Sequence, residues 1–302
     1  MTAPRGFRPL AVATSVFAYA LVALSPIVRI TGSGLGCGDN WPLCNGRLIP
    51  DFHDFTVAVE WGHRLAAAGV SALVVLLALG AWLQRDRSGV SGRGGILRPA
   101  SLALVLLVAQ VLLGALTVWL ELPAAVVILH LGNAMALLAA VLLATFRTWP
   151  TPASGGSAKA GRGVLVAAGL GALALLLGGL VANLHAGTSC VGFPLCNGRL
   201  WPAAGAGGLA HVHWAHRLVA YGLLAHVIAL WPAFRRRNEP PAVVAAVVLA
   251  LAVLAAHVVV AALLVLQGLP FMLRTAHAAL GTLVWVSLVY LVWRVRVAAE
   301  TA

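Results

Sequence analysis

Eight apolar runs govern what this chain can fold into, at approximately 9–29, 58–83, 100–120, 125–146, 164–184, 209–233, 242–266 and 271–293. As a helix rising 1.5 Å per residue, each is long enough to cross roughly 30 Å of hydrocarbon. Composition agrees. Of 302 residues, 61% are hydrophobic and 9% charged, more apolar surface than a soluble core of this length needs. The fold expected is all-α and membrane-integral, with eight transmembrane helices. The N-terminal stretch has features of a secretory signal, with Ala18-Tyr19-Ala20 as a small-residue cleavage site. Its apolar run continues to Val28, so an uncleaved first helix is expected.

A formal charge of +12 would suit a nucleic-acid partner, but its distribution excludes that reading. The basic residues sit in short clusters between apolar runs: Arg5 and Arg8; Arg85, Arg87, Arg93 and Arg98; Arg147, Lys159 and Arg162; Arg235, Arg236 and Arg237; Arg294 and Arg296. These clusters fall in alternate connections, as the positive-inside rule requires of cytoplasmic loops. The expected location is a bacterial cytoplasmic (inner) membrane, with both termini cytoplasmic. Arg29, Arg47, Arg64, Arg199, Arg217 and Arg274 remain on the outer side, where basic residues need a separate reason.

The chain is also a repeat. Trp41-Pro-Leu-Cys44-Asn-Gly-Arg-Leu48 returns as Phe193-Pro-Leu-Cys196-Asn-Gly-Arg-Leu200, and His63-Arg64-Leu65 as His216-Arg217-Leu218. Leu122-Pro123 with His130 returns as Leu269-Pro270 with His277. Such matches mark a duplication. The expected division is an N-terminal four-helix unit over 1–150, a Pro/Gly/Ser-rich cytoplasmic linker over 151–163, and a C-terminal four-helix unit over 164–302. Four crossings per unit give both one orientation, so two tandem bundles related by a pseudo-twofold along the membrane normal are expected.

Both cysteine pairs fall in outer loops. An oxidising compartment favours the disulfides Cys37–Cys44 and Cys190–Cys196. Free thiols, a shared metal site and a redox-active pair are the alternatives. An isolated histidine in an apolar helix is usually a hydrogen-bonded core residue. Four of the ten here escape that reading because they recur at matched positions: His63 and His216 near the start of one helix per unit, His130 and His277 near the start of another. Intramembrane histidines are functional candidates by default. Two imidazoles facing each other across a four-helix bundle suit an iron porphyrin, one per unit. Zinc is the rival, but it needs three or four close ligands. His211, His213 and His257 stay unassigned, and His257 corresponds to Gln110 in the first unit.

Arg64 and Arg217 each follow a proposed ligand, and Arg274 lies three residues before His277. Arginine binds carboxylates through paired hydrogen bonds, so the three are candidates for porphyrin propionates, with headgroup contact as the alternative. Glu60, one turn before His63, has His213 as its counterpart. A carboxylate at the membrane edge is costly unless used or paired. It is a candidate for proton exchange with a reacting porphyrin edge, or else the ion-pair partner of Arg64.

These residues resemble the haem A synthase family, over most of the chain from about Val28. The resemblance is carried by Thr31-Gly-Ser-Gly-Leu35, Cys37 with Trp41-Pro-Leu-Cys44, Glu60-Trp-Gly-His63-Arg64, Gln110 with Leu113-Gly114 and Thr117-Val118, Pro123 with His130-Leu131, the second cysteine loop, His216-Arg217 and His277. It implies that the C8 methyl group of haem O is oxidised to a formyl group by two successive hydroxylations, the geminal diol losing water, to give haem A for terminal oxidases. It further implies haem b on His216 and His277, the substrate haem O on His63 and His130, an essential Glu60, and a part for Cys37 and Cys44 in turnover. One departure is Gly38, where the family pattern has proline after the first cysteine. Association with a haem O synthase (protohaem farnesyltransferase) and with oxidase assembly factors follows from pathway logic, and a homo-oligomer is left open. Two other readings are a non-catalytic di-haem cytochrome, which has no need of Glu60, and a transporter, which would carry its polar residues at mid-membrane.

Overall fold

The computed structural model describes residues 6–150 and 155–296. Arg5 and residues 151–154 of the expected linker lie outside that range. The helices are α1 (Phe7–Leu24), α2 (Pro26–Ile30), α3 (Phe55–Leu83), α4 (Leu97–Trp119), α5 (Ala124–Phe146), α6 (Ala158–Asn183), α7 (Gly207–Arg236), α8 (Pro241–Leu266) and α9 (Phe271–Arg296). Among the described residues, eight segments are long and apolar enough to cross a membrane, α1 and α2 together making the first. Large apolar side chains such as Val105, Leu112 and Val259 are exposed, as lipid-facing positions are.

Two helices begin before their apolar runs because polar residues cap them. Asp54 caps α3, its carboxylate accepting the Thr56 N–H at 2.8 Å and the Thr56 hydroxyl at 2.9 Å. Those two bonds hold the Asp54 carboxyl below its ordinary range. Ser157 caps α6 and is itself held by the carboxylate of Glu239, which accepts its N–H and its hydroxyl. The helix therefore begins at Ala158, inside the stretch expected to be linker. The first span differs from expectation in another way. It breaks at Ser25, because Pro26 has no N–H to continue the helical ladder.

The chain divides into two compact units, Met1–Thr151 and Pro152–Ala302. In the first, α3 packs on α1 and α4, and α5 packs on α1 and α4, so α3 and α5 stand diagonally across a four-span bundle. In the second, α7 packs on α6 and α8, and α9 packs on α6 and α8, so α7 and α9 are the diagonal pair. One end of each bundle is filled by apolar side chains. In the first unit these include Phe7, Leu77, Ile96 and Ala144, in the second Val164, Phe234, Val243 and Leu291. The other end carries the cysteine loop and the repeated histidines.

Both disulfides are formed, Cys37–Cys44 and Cys190–Cys196. The repeated Cys-Asn-Gly-Arg is a hairpin turn. The N–H of Cys44 donates to the Arg47 carbonyl at 2.8 Å and that of Arg47 returns to the Cys44 carbonyl at 3.0 Å, with 3.0 Å for both bonds between Cys196 and Arg199. Asn-Gly suits it because both central residues are left-handed, Asn45 at φ 50° and Gly46 at φ 77°. The departure at Gly38 has a physical reason, since its φ of +67° is closed to proline.

Candidate functional site

Each cysteine loop is tied to the helix behind it through the residue pair that also brackets the proposed ligand. In the first unit that pair is Glu60 and Arg64. Glu60 is 4% exposed. Its Oε2 accepts the Cys37 N–H at 2.8 Å, and its Oε1 accepts from Arg64 Nη2 at 2.6 Å and Nε at 3.1 Å. Arg64 Nη1 donates onward to the carbonyls of Asn40 and Leu43. The ion pair weighed as an alternative for Glu60 is therefore present, and it accounts for a buried carboxylate at this depth. Arg217 does the same work in the second unit. It donates to the carbonyls of Cys190, Gly192 and Leu195, and to Nε2 of His213, whose Nδ1 donates to the Ala186 carbonyl. Both guanidinium groups point into their own loops, with most of their donors in use. Arg274, partly buried on α9 one turn before His277, has no side-chain partner among the described residues.

The four repeated histidines lie at the loop end of the diagonal helices. In the second unit, the rings of His216 and His277 are edge-on neighbours, with centres 6.5 Å apart and planes at 86°. His216 Nδ1 donates to the Ala174 carbonyl at 3.0 Å, which leaves Nε2 as the bare nitrogen. His277 Nδ1 is buried without a partner among the described residues. The ring of His257 lies 4.4 Å from that of His277, and its Nε2 is also buried and unpaired. In the first unit, His63 Nδ1 is 3.5 Å from the Ser25 hydroxyl. Gln110 Nε2 donates to His130 Nε2 at 3.0 Å, while Nδ1 of His130 is buried and unpaired. Asn133 orients that amide by donating to Gln110 Oε1 at 2.7 Å.

The histidine pair of the second unit fits a porphyrin iron better than a zinc ion. Buried ring nitrogens without partners are rare and call for a reason. Two axial nitrogens each about 2 Å from a metal put their ring centres about 6 Å apart, near the spacing of His216 and His277. Among the described residues no three His, Cys, Asp or Glu side chains gather as a zinc site requires. Small residues leave room beside the rings. A Cβ at Gly114 would meet His130 Cε1 at 3.3 Å, and one at Gly178 would meet His216 Cε1 at 3.0 Å. Two other histidines serve the helices: His226 donates to the Gly163 carbonyl and His211 to that of Gly207. Ser25 and Asn133 were not singled out from the sequence. The repeat carried the signal for Ser25, by setting it opposite Gly178, and nothing comparable marks Asn133.

The chain is also similar to known proteins. Residues 8–289 match the family model described as cytochrome oxidase assembly protein. A heme A synthase of Alkalihalophilus pseudofirmus is 32% identical over 238 residues, covering 75% of this chain and 76% of the relative. That of Symbiobacterium thermophilum is 31% identical over 305 residues, covering 95% and 94%. That of Halalkalibacterium halodurans is 28% identical over 294 residues, covering 95% and 96%. The chain is thus a member of the cytochrome oxidase assembly family to which the heme A synthases belong.

Proposed function

We propose that this chain is a haem A synthase, an oxidoreductase that converts the C8 methyl group of haem O to a formyl group by two successive hydroxylations. The observation that carries the reading is the pair of neighbouring imidazoles in the second unit, 6.5 Å apart, with a buried unpaired nitrogen on His277. The same helix positions recur in the first unit with His63 and His130. His216 and His277 hold haem b, and His63 and His130 hold the substrate haem O. Haem b supplies one-electron redox chemistry when bound. Arg274 is placed for a propionate of the second unit, whereas Arg64 and Arg217 act first on their loops and have little donor capacity left over. Haem O synthase and oxidase assembly factors are the partners this pathway calls for.

Glu60 separates an enzyme from an electron carrier. Its carboxylate is fixed by three hydrogen bonds from two partners, the Cys37 N–H and the Arg64 guanidinium, one turn before His63. A group held in that way is pre-positioned to take and return a proton at Oε1 or Oε2. Glu60→Gln keeps the size and most of the contacts but loses the charge and the proton affinity. The variant retains porphyrin, and haem A formation falls by about 10²-fold or more, the range expected for loss of a general acid–base group. Extraction of the bound porphyrins and mass identification give the readout. Normal accumulation of haem A in the variant would withdraw the catalytic role. His216→Ala and His277→Ala lose the low-spin spectrum of the retained haem, and an unchanged spectrum in both would overturn the ligand assignment.

A further inference from the structure

The two units treat their α3 and α7 histidines differently, and the difference sits on the first helix of each. The offset that matches Cys37 to Cys190 and His63 to His216 also matches Leu21 to Ala174 and Ser25 to Gly178. The match holds in space: Gly34 lies under Leu122 as Gly187 lies under Leu269. In the second unit, His216 Nδ1 donates straight to the Ala174 carbonyl at 3.0 Å. Gly178 makes that approach possible, since a Cβ there would stand 3.0 Å from Cε1 and 3.4 Å from Nδ1 of the ring. In the first unit the equivalent carbonyl, that of Leu21, is taken by the Ser25 hydroxyl at 2.5 Å. His63 Nδ1 meets only the serine oxygen, at 3.5 Å, the outer limit of a hydrogen bond. The chain break at Pro26 falls immediately after this serine. A cavity of about 510 Å³ opens on the same side, lined by Leu21, Leu24, Ser25, Gly62, His63 and Ala66 among others.

The partner of a ligating histidine's second ring nitrogen sets the ring's orientation and its basicity toward the metal. We propose that Ser25 is a positioning residue that holds His63 loosely, so that the porphyrin of the first unit exchanges, while Gly178 lets His216 lock onto a backbone carbonyl, so that the porphyrin of the second unit stays. This rests on the haem-binding reading above and deepens it. It gives a physical cause for the division between a substrate that must enter and leave and a cofactor that must not.

The test uses the full-length protein in detergent, loaded with haem b in both units, and follows haem transfer to excess apomyoglobin at the Soret band. The wild type shows a fast phase from the first unit and a slow phase from the second. Ser25→Gly removes the intervening hydroxyl and lets His63 reach the Leu21 carbonyl. It slows the fast phase by about 10-fold, within the range expected for a change of second-nitrogen partner, and lowers the midpoint potential of that haem. Ser25→Ala removes the hydroxyl but keeps the blocking Cβ, so it speeds the same phase. Gly178→Ser displaces His216 and speeds the slow phase. Opposite responses to glycine and alanine at one position are not expected of a merely structural serine. Phases and potentials unchanged in all three variants, or shifted alike by Ser25→Gly and Ser25→Ala, would overturn the proposal while leaving haem binding intact. A wild type that binds no haem would instead overturn the reading on which it rests.

Discussion

Arg217 is 5% exposed, yet among the described residues no carboxylate stands opposite its charge. Three backbone carbonyls of the cysteine loop and one histidine nitrogen receive its donors instead. Arg64 meets a carboxylate at the same point of the first unit and reaches two loop carbonyls as well. The sequence suggested both residues for propionates, because an arginine next to a proposed ligand at the membrane edge has that obvious use. It could not show that the loop folds back over the helix and presents its carbonyls there. Arg217→Met would strand the carbonyls of Cys190, Gly192 and Leu195. Each buried acceptor left alone costs about 1–3 kcal/mol; the bond to Cys190 is buried and the other two are half-buried, so a loss of at least about 1 kcal/mol is expected. Thermal unfolding in detergent measures it, and a midpoint equal to wild type would remove the loop-clamp role. Arg217→Lys should fall between, because a single ammonium cannot cover the spread of acceptors a guanidinium reaches.

Helices here were legible because their signal is length and apolarity, which survives errors of a few residues at either end. The cysteine loops were partly legible too, through the Asn-Gly pair that forces a tight turn. Breaks and contacts were less so. Ser25-Pro26 carries a local warning, since the residue before proline disfavours the helical region, but an apolar run reads straight through it. Gly171 carries no warning at all, though a Cβ there would collide with the Leu288 side chain of α9. Small residues let membrane helices approach closely where no hydrophobic driving force separates helix from lipid. Gly171→Val is therefore expected to push α6 off α9 and to destabilise the second unit by about 1–3 kcal/mol, the usual cost of overpacking. The retained haem reports it: the variant should lose its porphyrin at a lower temperature than wild type. No change in that temperature would mean that α6 and α9 have slack at this contact.

At the scale of the whole chain, duplication set the plan and divergence set the roles. Glu60 corresponds to His213, Ser25 to Gly178, and Gln110 to His257 in the repeat. The histidines, the loop disulfides and the loop-clamping arginines are what the two units keep in common. Four crossings per unit also fix the membrane topology, because an even number returns the chain to the side it left. On that count we propose that both cysteine loops face one compartment and both termini the other. Disulfides require that the loop side be oxidising, and the basic clusters around Arg85, Lys159 and Arg236 mark the opposite side as cytoplasmic. Two criteria, redox chemistry and charge, thus support the same proposed orientation. Alkaline phosphatase, which folds only outside the cytoplasm, should be inactive when fused after Ala302 and active when inserted after Asp51. A green fluorescent protein fused after Ala302 should fluoresce. Intact bridges should also keep all four cysteines from reacting with a maleimide until a reductant is added. An active phosphatase at the C-terminus would reverse the topology and place the histidine sites on the cytoplasmic side, where the disulfides would no longer have a compartment to form in.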